Sequence, residues 1–223
     1  MVTSVAPFLK YSFTVGMTTM EGRGFYYPTD AVLGKNGHIY VPNRGSPHFF
    51  RGLRICVCDV DGGYYGTFGH RGEDDGQFRW PSSGAVDSDG LLYFSDEYLH
   101  RISVLDPSGE FVRKWGVYGS GQGELDSPSG LAFDREDNLY VSDTYNNRIQ
   151  KFTRDGQFLA SFGAEGDGDG QLGLPWGLTV GDGGNGDVFV ADWGNDRIQK
   201  FSPDGHFLAS YGSSGRGDGQ FHR

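Results

Sequence analysis

The chain has 223 residues and a formal net charge of −10, with 38 glycines and 15% aromatic residues. The acidic balance argues against a nucleic-acid partner, because phosphate binding requires a basic surface. The aromatic content excludes a disordered linker, and glycine is used at more than twice its average frequency of about 7%. These features indicate a single all-β domain with many tight turns.

The N-terminal segment predicts an isolated strand. The run Phe8–Gly16 has the pattern of the outermost strand of the repeats described below, with Val15-Gly16 in the place of Phe68-Gly69. The first ten residues contain no basic region followed by a long apolar run, so the sequence predicts no export signal and a cytoplasmic location by default.

A repeat runs through the rest of the chain. The segment from Asp143 to Phe152 recurs from Asp192 to Phe201 with the same Arg-Ile-Gln-Lys-Phe ending. The repeated arginines fall at steps of 47, 47 and 49 residues, at Arg54, Arg101, Arg148 and Arg197. A fixed period of this size indicates one supersecondary unit stacked on copies of itself.

Each unit contains four short apolar segments separated by turn residues. In the third copy these segments are 130–134, 138–143, 148–152 and 158–163. They are rich in β-branched and aromatic residues and too short for long helices, so they predict strands. Four strands in about 45 residues form one blade of a β-propeller, so the predicted fold is an all-β β-propeller of four-stranded antiparallel blades.

The motifs resemble the NHL repeat. Tyr-Val-Ser-Asp, then Asn-x-Arg-Ile-Gln-x-Phe, Asp-Gly-x-Phe and an aromatic-Gly pair follow one another over residues 22–223, most closely in copies two to four. The expected blades are 22–69, 76–116, 123–163 and 170–212, with a fifth opening at 219–223 and the lone outer strand at 1–16. The resemblance implies a six-bladed ring, so the chain is expected to be truncated, with roughly two repeats (~90 residues) beyond Arg223.

The first copy departs from the pattern. Its second strand ends in Asn43 where the others end in aspartate, and Arg54 follows after 11 residues instead of 5. The insertion carries Phe49, Phe50 and Arg51, residue types favoured at interaction hot spots. We therefore predict a binding surface there, extended by Tyr145 and Trp176; alternatively, the two phenylalanines fold back over the edge of the blade.

The repeated aspartates and arginines are predicted to be structural. Each pair flanks a short turn, close enough for a charge-assisted hydrogen bond that fixes the hairpin. A residue present once per blade serves the blade, whereas a catalytic residue usually occurs once. The pairs are Asp96 with Arg101, Asp143 with Arg148, and Asp192 with Arg197.

Metal binding is weakly indicated. His48, His70 and His100 all fall in loops on one predicted face and could together hold a divalent ion, but exposed loop histidines are common. Cys56 and Cys58 are predicted to be a reduced, packed pair, because a bridge between alternate residues would strain the strand. No cofactor is otherwise predicted.

Three function classes remain open. The first is a non-catalytic scaffold whose loops bind a protein, a peptide or a carbohydrate. The second is a metal-dependent propeller lyase or hydrolase with part of its site in further blades. The resemblance includes peptide-amidating lyases, whose zinc-binding histidines follow the blade-opening proline, where this chain has Thr29, Ser82, Ser129 and Trp176. The third, RNA binding, is disfavoured by the net charge.

Overall fold

The computed structural model describes residues 24–45, 52–181 and 184–222. Within these ranges the chain forms four sheets of four strands, and strands consecutive in sequence are neighbours in each sheet. All twelve pairings are antiparallel. The protein is therefore an all-β propeller with four-stranded antiparallel blades, as the sequence predicts. The expected lone strand at 1–16 lies outside the described residues.

The strands are numbered in chain order, four to a blade. The first blade consists of β1 (Val32–Leu33), β2 (Ile39–Asn43), β3 (Arg54–Cys58) and β4 (Tyr64–Phe68). The second consists of β5 (Pro81–Val86), β6 (Leu92–Asp96), β7 (Arg101–Leu105) and β8 (Phe111–Trp115). The third consists of β9 (Pro128–Phe133), β10 (Asn138–Asp143), β11 (Arg148–Thr153) and β12 (Phe158–Phe162). The fourth consists of β13 (Pro175–Val180), β14 (Val188–Asp192), β15 (Arg197–Phe201) and β16 (Phe207–Tyr211).

Turn chemistry fixes the hairpins. Between β10 and β11 the chain makes a short 3-10 helix at Thr144–Asn146, and Asn147 closes it in the left-handed conformation with φ of 51°. Asparagine tolerates this conformation better than most residues. Between β11 and β12 the turn needs a positive φ at Gly156, 87°, which glycine adopts without steric cost. These local signals explain why the blade pattern is readable in the sequence.

The core lies between the blades. Three clusters of buried side chains join the first blade to the second, the second to the third, and the third to the fourth. A tyrosine on the second strand of a blade also reaches the turn between the last two strands of the next blade. The hydroxyls of Tyr40, Tyr93 and Tyr140 donate to the carbonyls of Pro107 at 3.1 Å, Arg154 at 3.1 Å and Pro203 at 3.2 Å, respectively. Apolar packing and a repeated polar contact therefore bind the blades together.

The second and third strands of every blade meet at one face of the propeller. We call this the loop face: it contains the connections between the second and third strands and the segments that lead from one blade to the next. The first strand of each blade starts at this face and borders the centre of the propeller. Among the helices in the described part of the chain, none has the length and apolar character needed to cross a membrane.

Candidate functional site

The innermost strands border a central cavity, and most of its lining residues lie where these strands begin, at the loop face. Its volume is about 310 Å³. Residues from all four blades border it, including Asp30, Ser83, Gly130 and Trp176. Because the innermost strands begin at this face, their first residues provide the side chains around the opening. We call this region the channel mouth.

Asp30 is a carboxylate at the channel mouth. Its Oδ2 accepts hydrogen bonds from Ser83 Oγ at 2.7 Å and from the Gly84 amide at 3.0 Å. Its Oδ1 accepts one from the Ala31 amide at 2.7 Å. The carboxylate therefore joins the first blade to the second and remains beside the cavity.

Arg44 and Glu97 form an ion pair between the first two blades. Arg44 Nη2 contacts Glu97 Oε1 and also donates to Ser82 Oγ at 3.1 Å. The side chains of Arg44 and Glu97 are 20% and 15% exposed, so the pair is largely removed from water yet reachable from the loop face. Such a position suits groups that must interact with both the protein and a bound molecule.

Burial shifts the pKa of both members of this pair. Desolvation lowers the pKa of Arg44 and raises the pKa of Glu97, and the attraction between the two charges opposes both shifts. Asp96, next to Glu97, adds a repulsion that further raises the pKa of Glu97. A raised pKa favours the protonated form of a carboxyl group, and shifts of this direction occur in carboxyl groups that exchange protons with a substrate.

Two tryptophans border the guanidinium of Arg44. Its central carbon lies 5.3 Å from the ring centroid of Trp80 and 5.7 Å from that of Trp176. Trp176 belongs to the fourth blade, so Arg44 reaches across the channel mouth from the first blade. The rings of Trp176 and Trp193 are 6.2 Å apart and partly exposed. The channel mouth therefore combines a carboxylate, an ion pair and exposed aromatic rings.

Of the predicted binding residues, the structure describes Trp176 and Tyr145, and these two lie in different places. Trp176 borders the cavity. Tyr145 is 61% exposed in the connection between β10 and β11. Phe49, Phe50 and Arg51 lie outside the described residues, as does His48.

The predicted aspartate–arginine pairs are present in the third and fourth blades. Arg148 Nε donates to Asp143 Oδ2 at 2.7 Å, and Arg197 Nε donates to Asp192 Oδ2 at the same distance. The other guanidinium nitrogens of Arg148 donate to carbonyls of the segment that precedes the blade, at Ser120, Gly121 and Glu124. The pair therefore fixes both a hairpin and the entry to its blade.

The second blade differs from this pattern. Arg101 donates to the carbonyls of Glu73, Asp74 and Gln77, as its counterparts do, but makes no ion pair with Asp96, although both residues are described. Asp96 instead accepts hydrogen bonds from the backbone amides of Arg79, Trp80, Tyr98 and Leu99. Four backbone donors already stabilise the carboxylate, which explains why the arginine is not required there.

The remaining histidines do not form a metal site in the described part of the chain. His100 Nδ1 accepts a hydrogen bond from the Ser127 amide at 3.1 Å, and its ring packs against Tyr118. His70 lies in the segment between the first two blades, where its carbonyl accepts from the Phe78 amide. Across residues 24–45, 52–181 and 184–222, no three His, Cys, Asp or Glu side chains are grouped closely enough to hold an ion.

Arg44, Glu97 and Trp80 were not predicted from the sequence as site residues. A signal was present in the repeat: Arg44 directly follows Asn43, and Glu97 directly follows Asp96. They therefore occupy the same repeat position in adjacent blades, and repeat-equivalent residues of adjacent blades are neighbours. Opposite charges at such a position predict an ion pair between the blades.

Comparisons with known proteins agree with the fold. The structure resembles virginiamycin B lyase from Staphylococcus aureus with a TM-score of 0.59 and 15% identity, over 81% of this chain and 54% of that chain. It resembles a gluconolactonase from Xanthomonas campestris with a TM-score of 0.57 and 23% identity, over 80% of this chain and 59% of that chain. At such identities the likeness shows the fold alone. The chain thus spans little more than half the length of these two structures.

The sequence comparison is more specific. No curated protein matches the chain significantly. The family model of the SMP-30/Gluconolactonase/LRE-like region matches residues 51–214, which is well over half of the 223 residues. This match includes the second, third and fourth blades in full. The chain therefore belongs to the SMP-30/gluconolactonase/LRE-like family.

Proposed function

We propose that the protein is a propeller hydrolase or lyase whose reaction takes place at the channel mouth. The observation that carries this proposal is the Arg44–Glu97 pair, a largely buried cation and a carboxyl of raised pKa. Its arginine contacts Ser82 and Trp176, which line the central cavity. The family and the lyase and gluconolactonase named among similar structures support an enzymatic function. Since the chain spans only part of those structures, further blades would complete the site.

The geometry suits attack on a cyclic ester. The Glu97 carboxylate would take a proton from water as the water oxygen bonds to the ester carbonyl carbon. The Arg44 guanidinium would stabilise the negative charge that develops on the carbonyl oxygen. When the ring carbon–oxygen bond breaks, the leaving oxygen receives the proton from Glu97, and the product is a hydroxy acid. Trp176 would contact the substrate ring from the opposite side of the mouth.

A metal is not part of this scheme. A catalytic zinc site needs three protein ligands, and the described residues do not provide a group of three. Asp30 is the carboxylate at the mouth, but hydrogen bonds from Ser83, Gly84 and Ala31 already stabilise it. The described residues therefore do not fit a metal by themselves, and no step depends on one.

Acid release from γ- and δ-lactones, followed with a pH indicator with and without added divalent ions, tests the proposal. We expect Glu97→Gln to reduce kcat by about 10²–10⁴-fold, as for loss of an acid–base group. Glu136→Gln, an exposed glutamate between β9 and β10 on the opposite face, is the matched control and should leave the rate unchanged. Equal effects of both substitutions, or no turnover by a protein with the complete propeller, would contradict the proposal.

Binding without catalysis is the second candidate. Exposed aromatic side chains on the loop face favour it, among them Trp80 at 42%, Trp193 at 47% and Tyr98 at 52%. A protein, a peptide or a carbohydrate could be held there. Binding to a glycan or peptide array that is lost in Trp193→Ala, in a protein without lactone turnover, would favour this scaffold.

We also propose that the repeats are of the NHL type and belong to a six-bladed ring, with the blade boundaries expected from the sequence. The support is the recurring Asn-x-Arg-Ile-Gln-x-Phe pattern and its period of 47 to 49 residues. An experimental structure of the natural protein would test this by its blade count. Any number other than six would contradict it.

A further inference from the structure

The third and fourth blades each contain a buried polar cluster on the loop face. Asp143 Oδ2 receives hydrogen bonds from Arg148 Nε at 2.7 Å and from Gln150 Nε2 at 2.9 Å. Gln150 Oε1 in turn accepts from the Gly123 amide at 3.0 Å. The glutamine amide therefore links the aspartate to the segment that enters the blade.

The fourth blade repeats this arrangement. Gln199 Nε2 donates to Asp192 Oδ2 at 3.1 Å, and Gln199 Oε1 accepts from the Gly170 amide at 3.0 Å. Gln150 and Gln199 are both fully buried. The cluster is thus a repeated device, and its donors and acceptors match one another without solvent.

In the second blade, Ser103 stands where the other two blades have glutamine. Arg101 is 7% exposed and Ser103 is 0% exposed. Among the described residues, neither Arg101 Nε nor Ser103 Oγ has a hydrogen-bond partner. Both side chains lie on the same face of β7, because alternate residues of a strand point the same way. Two buried polar groups are therefore left unpaired at one place.

The side chain of Arg101 cannot easily reorient to give its Nε atom a hydrogen-bond partner. Its Nη atoms are held at 2.7 to 3.0 Å by the carbonyls of Glu73, Asp74 and Gln77. Ser103 is also too short to reach the Gly76 amide, which corresponds to Gly123 and Gly170 in the other blades. Leaving a buried polar group without a hydrogen-bond partner destabilises the folded state.

We propose that ordered water binds in the second blade at the position taken by the glutamine amide in the third and fourth. The water would accept from Arg101 Nε, exchange a hydrogen bond with Ser103 Oγ and donate to Asp96. A buried water typically makes about three such bonds, and this site offers that number. An anion would be repelled by the buried Asp96, and a cation by Arg101, so water is the ligand whose chemistry fits. This inference is independent of the proposed catalysis.

A crystal structure with ordered solvent is the direct test. We expect density for water within hydrogen-bond distance of Arg101 Nε and Ser103 Oγ. Absence of such density, with Arg101 Nε bonded to a protein atom, would overturn the proposal.

A pair of reciprocal substitutions tests the same inference in solution. Ser103→Gln should displace the water, and Gln150→Ser should create an equivalent water site in the third blade. Water-oxygen relaxation dispersion should therefore detect fewer long-lived buried waters in Ser103→Gln and more in Gln150→Ser. We expect the Tm to rise by roughly 2–4 °C in the first variant and to fall at least as far in the second. An unchanged number of buried waters in Ser103→Gln would contradict the proposal, whatever its Tm.

Discussion

The carboxylate of Asp143 and the guanidinium of Arg148 are in direct contact at 2.7 Å, and the aspartate side chain is completely inaccessible to solvent. The two residues face each other at the end of the β10–β11 hairpin. The same geometry recurs at Asp192 and Arg197. A charge in this setting is tolerated only because its partners surround it.

Removing that charge should be costly. We expect Asp143→Asn to lower the free energy of unfolding by about 3–5 kcal/mol, since Arg148 would keep a partly buried charge without its counter-ion. Asp155→Asn is the control, because Asp155 pairs with Arg113 at 3.2 Å but its side chain is 68% exposed. Exposed pairs contribute about 0–1 kcal/mol. Urea unfolding of both variants measures the difference, and similar losses would contradict the structural role of Asp143.

Substitution by alanine should affect the stability of the protein very differently at two glycines of the inner strands. A Cβ atom at Gly130 would lie 2.5 Å from the carbonyl oxygen of Trp176 and 2.8 Å from the Leu178 nitrogen, both backbone atoms that cannot move independently. A Cβ atom at Gly177 would have no neighbour within 4 Å. We expect Gly130→Ala to destabilise the protein by about 1–3 kcal/mol, because the third and fourth blades must separate. Thermal unfolding should show little loss for Gly177→Ala; a larger loss there would contradict this account of inner-strand packing.

The raised pKa of Glu97 predicts the direction in which folding stability changes with pH. Its folded pKa lies above the ordinary value of 4.5, so the native state keeps its proton after the unfolded state has lost it. As the pH rises from about 4.5 through the folded pKa, the stability of the wild type relative to Glu97→Gln should therefore fall. Urea unfolding of the two proteins at a series of pH values measures this difference. A difference that grows with pH would mean that the ion pair with Arg44 outweighs burial.

Substrate contact at the channel mouth can be tested with two aromatic residues. Trp176 borders the cavity, whereas Tyr145 is exposed on the β10–β11 connection and does not line it. If the proposed reaction occurs there, Trp176→Ala should raise KM by roughly tenfold, equivalent to about 1.4 kcal/mol of binding. Tyr145→Ala should leave KM unchanged. Steady-state kinetics on the same lactone compares them, and an equal rise in both variants would shift the site away from the cavity.

The blades could be predicted because their signals are local. Apolar runs, turn glycines and the fixed spacing of Arg101, Arg148 and Arg197 are all read within one repeat or by comparing repeats. The contacts of Arg44 are of another kind. It meets Glu97 53 residues away, and it meets Trp176 only because the blades curve around a centre.

The second blade shows that a sequence motif can be present without the side-chain contact that it predicts. Asp96 and Arg101 match the pattern that pairs Asp143 with Arg148 and lie opposite each other in the β6–β7 ladder, yet their side chains form no ion pair. The outcome is decided by their neighbours: Ser103 lacks the amide of glutamine, and backbone amides before and after β6 already satisfy Asp96. The aspartate and arginine alone therefore do not determine whether their side chains form an ion pair. The residue two positions after the arginine, Ser103 in the second blade, also decides it.

The arginine contacts also define where one repeat ends and the next begins. Arg101, Arg148 and Arg197 each hold carbonyls of the segment that precedes their own blade. Through this arginine, each connecting segment is anchored to the blade that follows it. The natural unit for duplication, or for transplantation into another propeller, therefore starts just after an outermost strand, as at Gly69. A cut at the blade-opening proline would separate an arginine from the carbonyls that it holds.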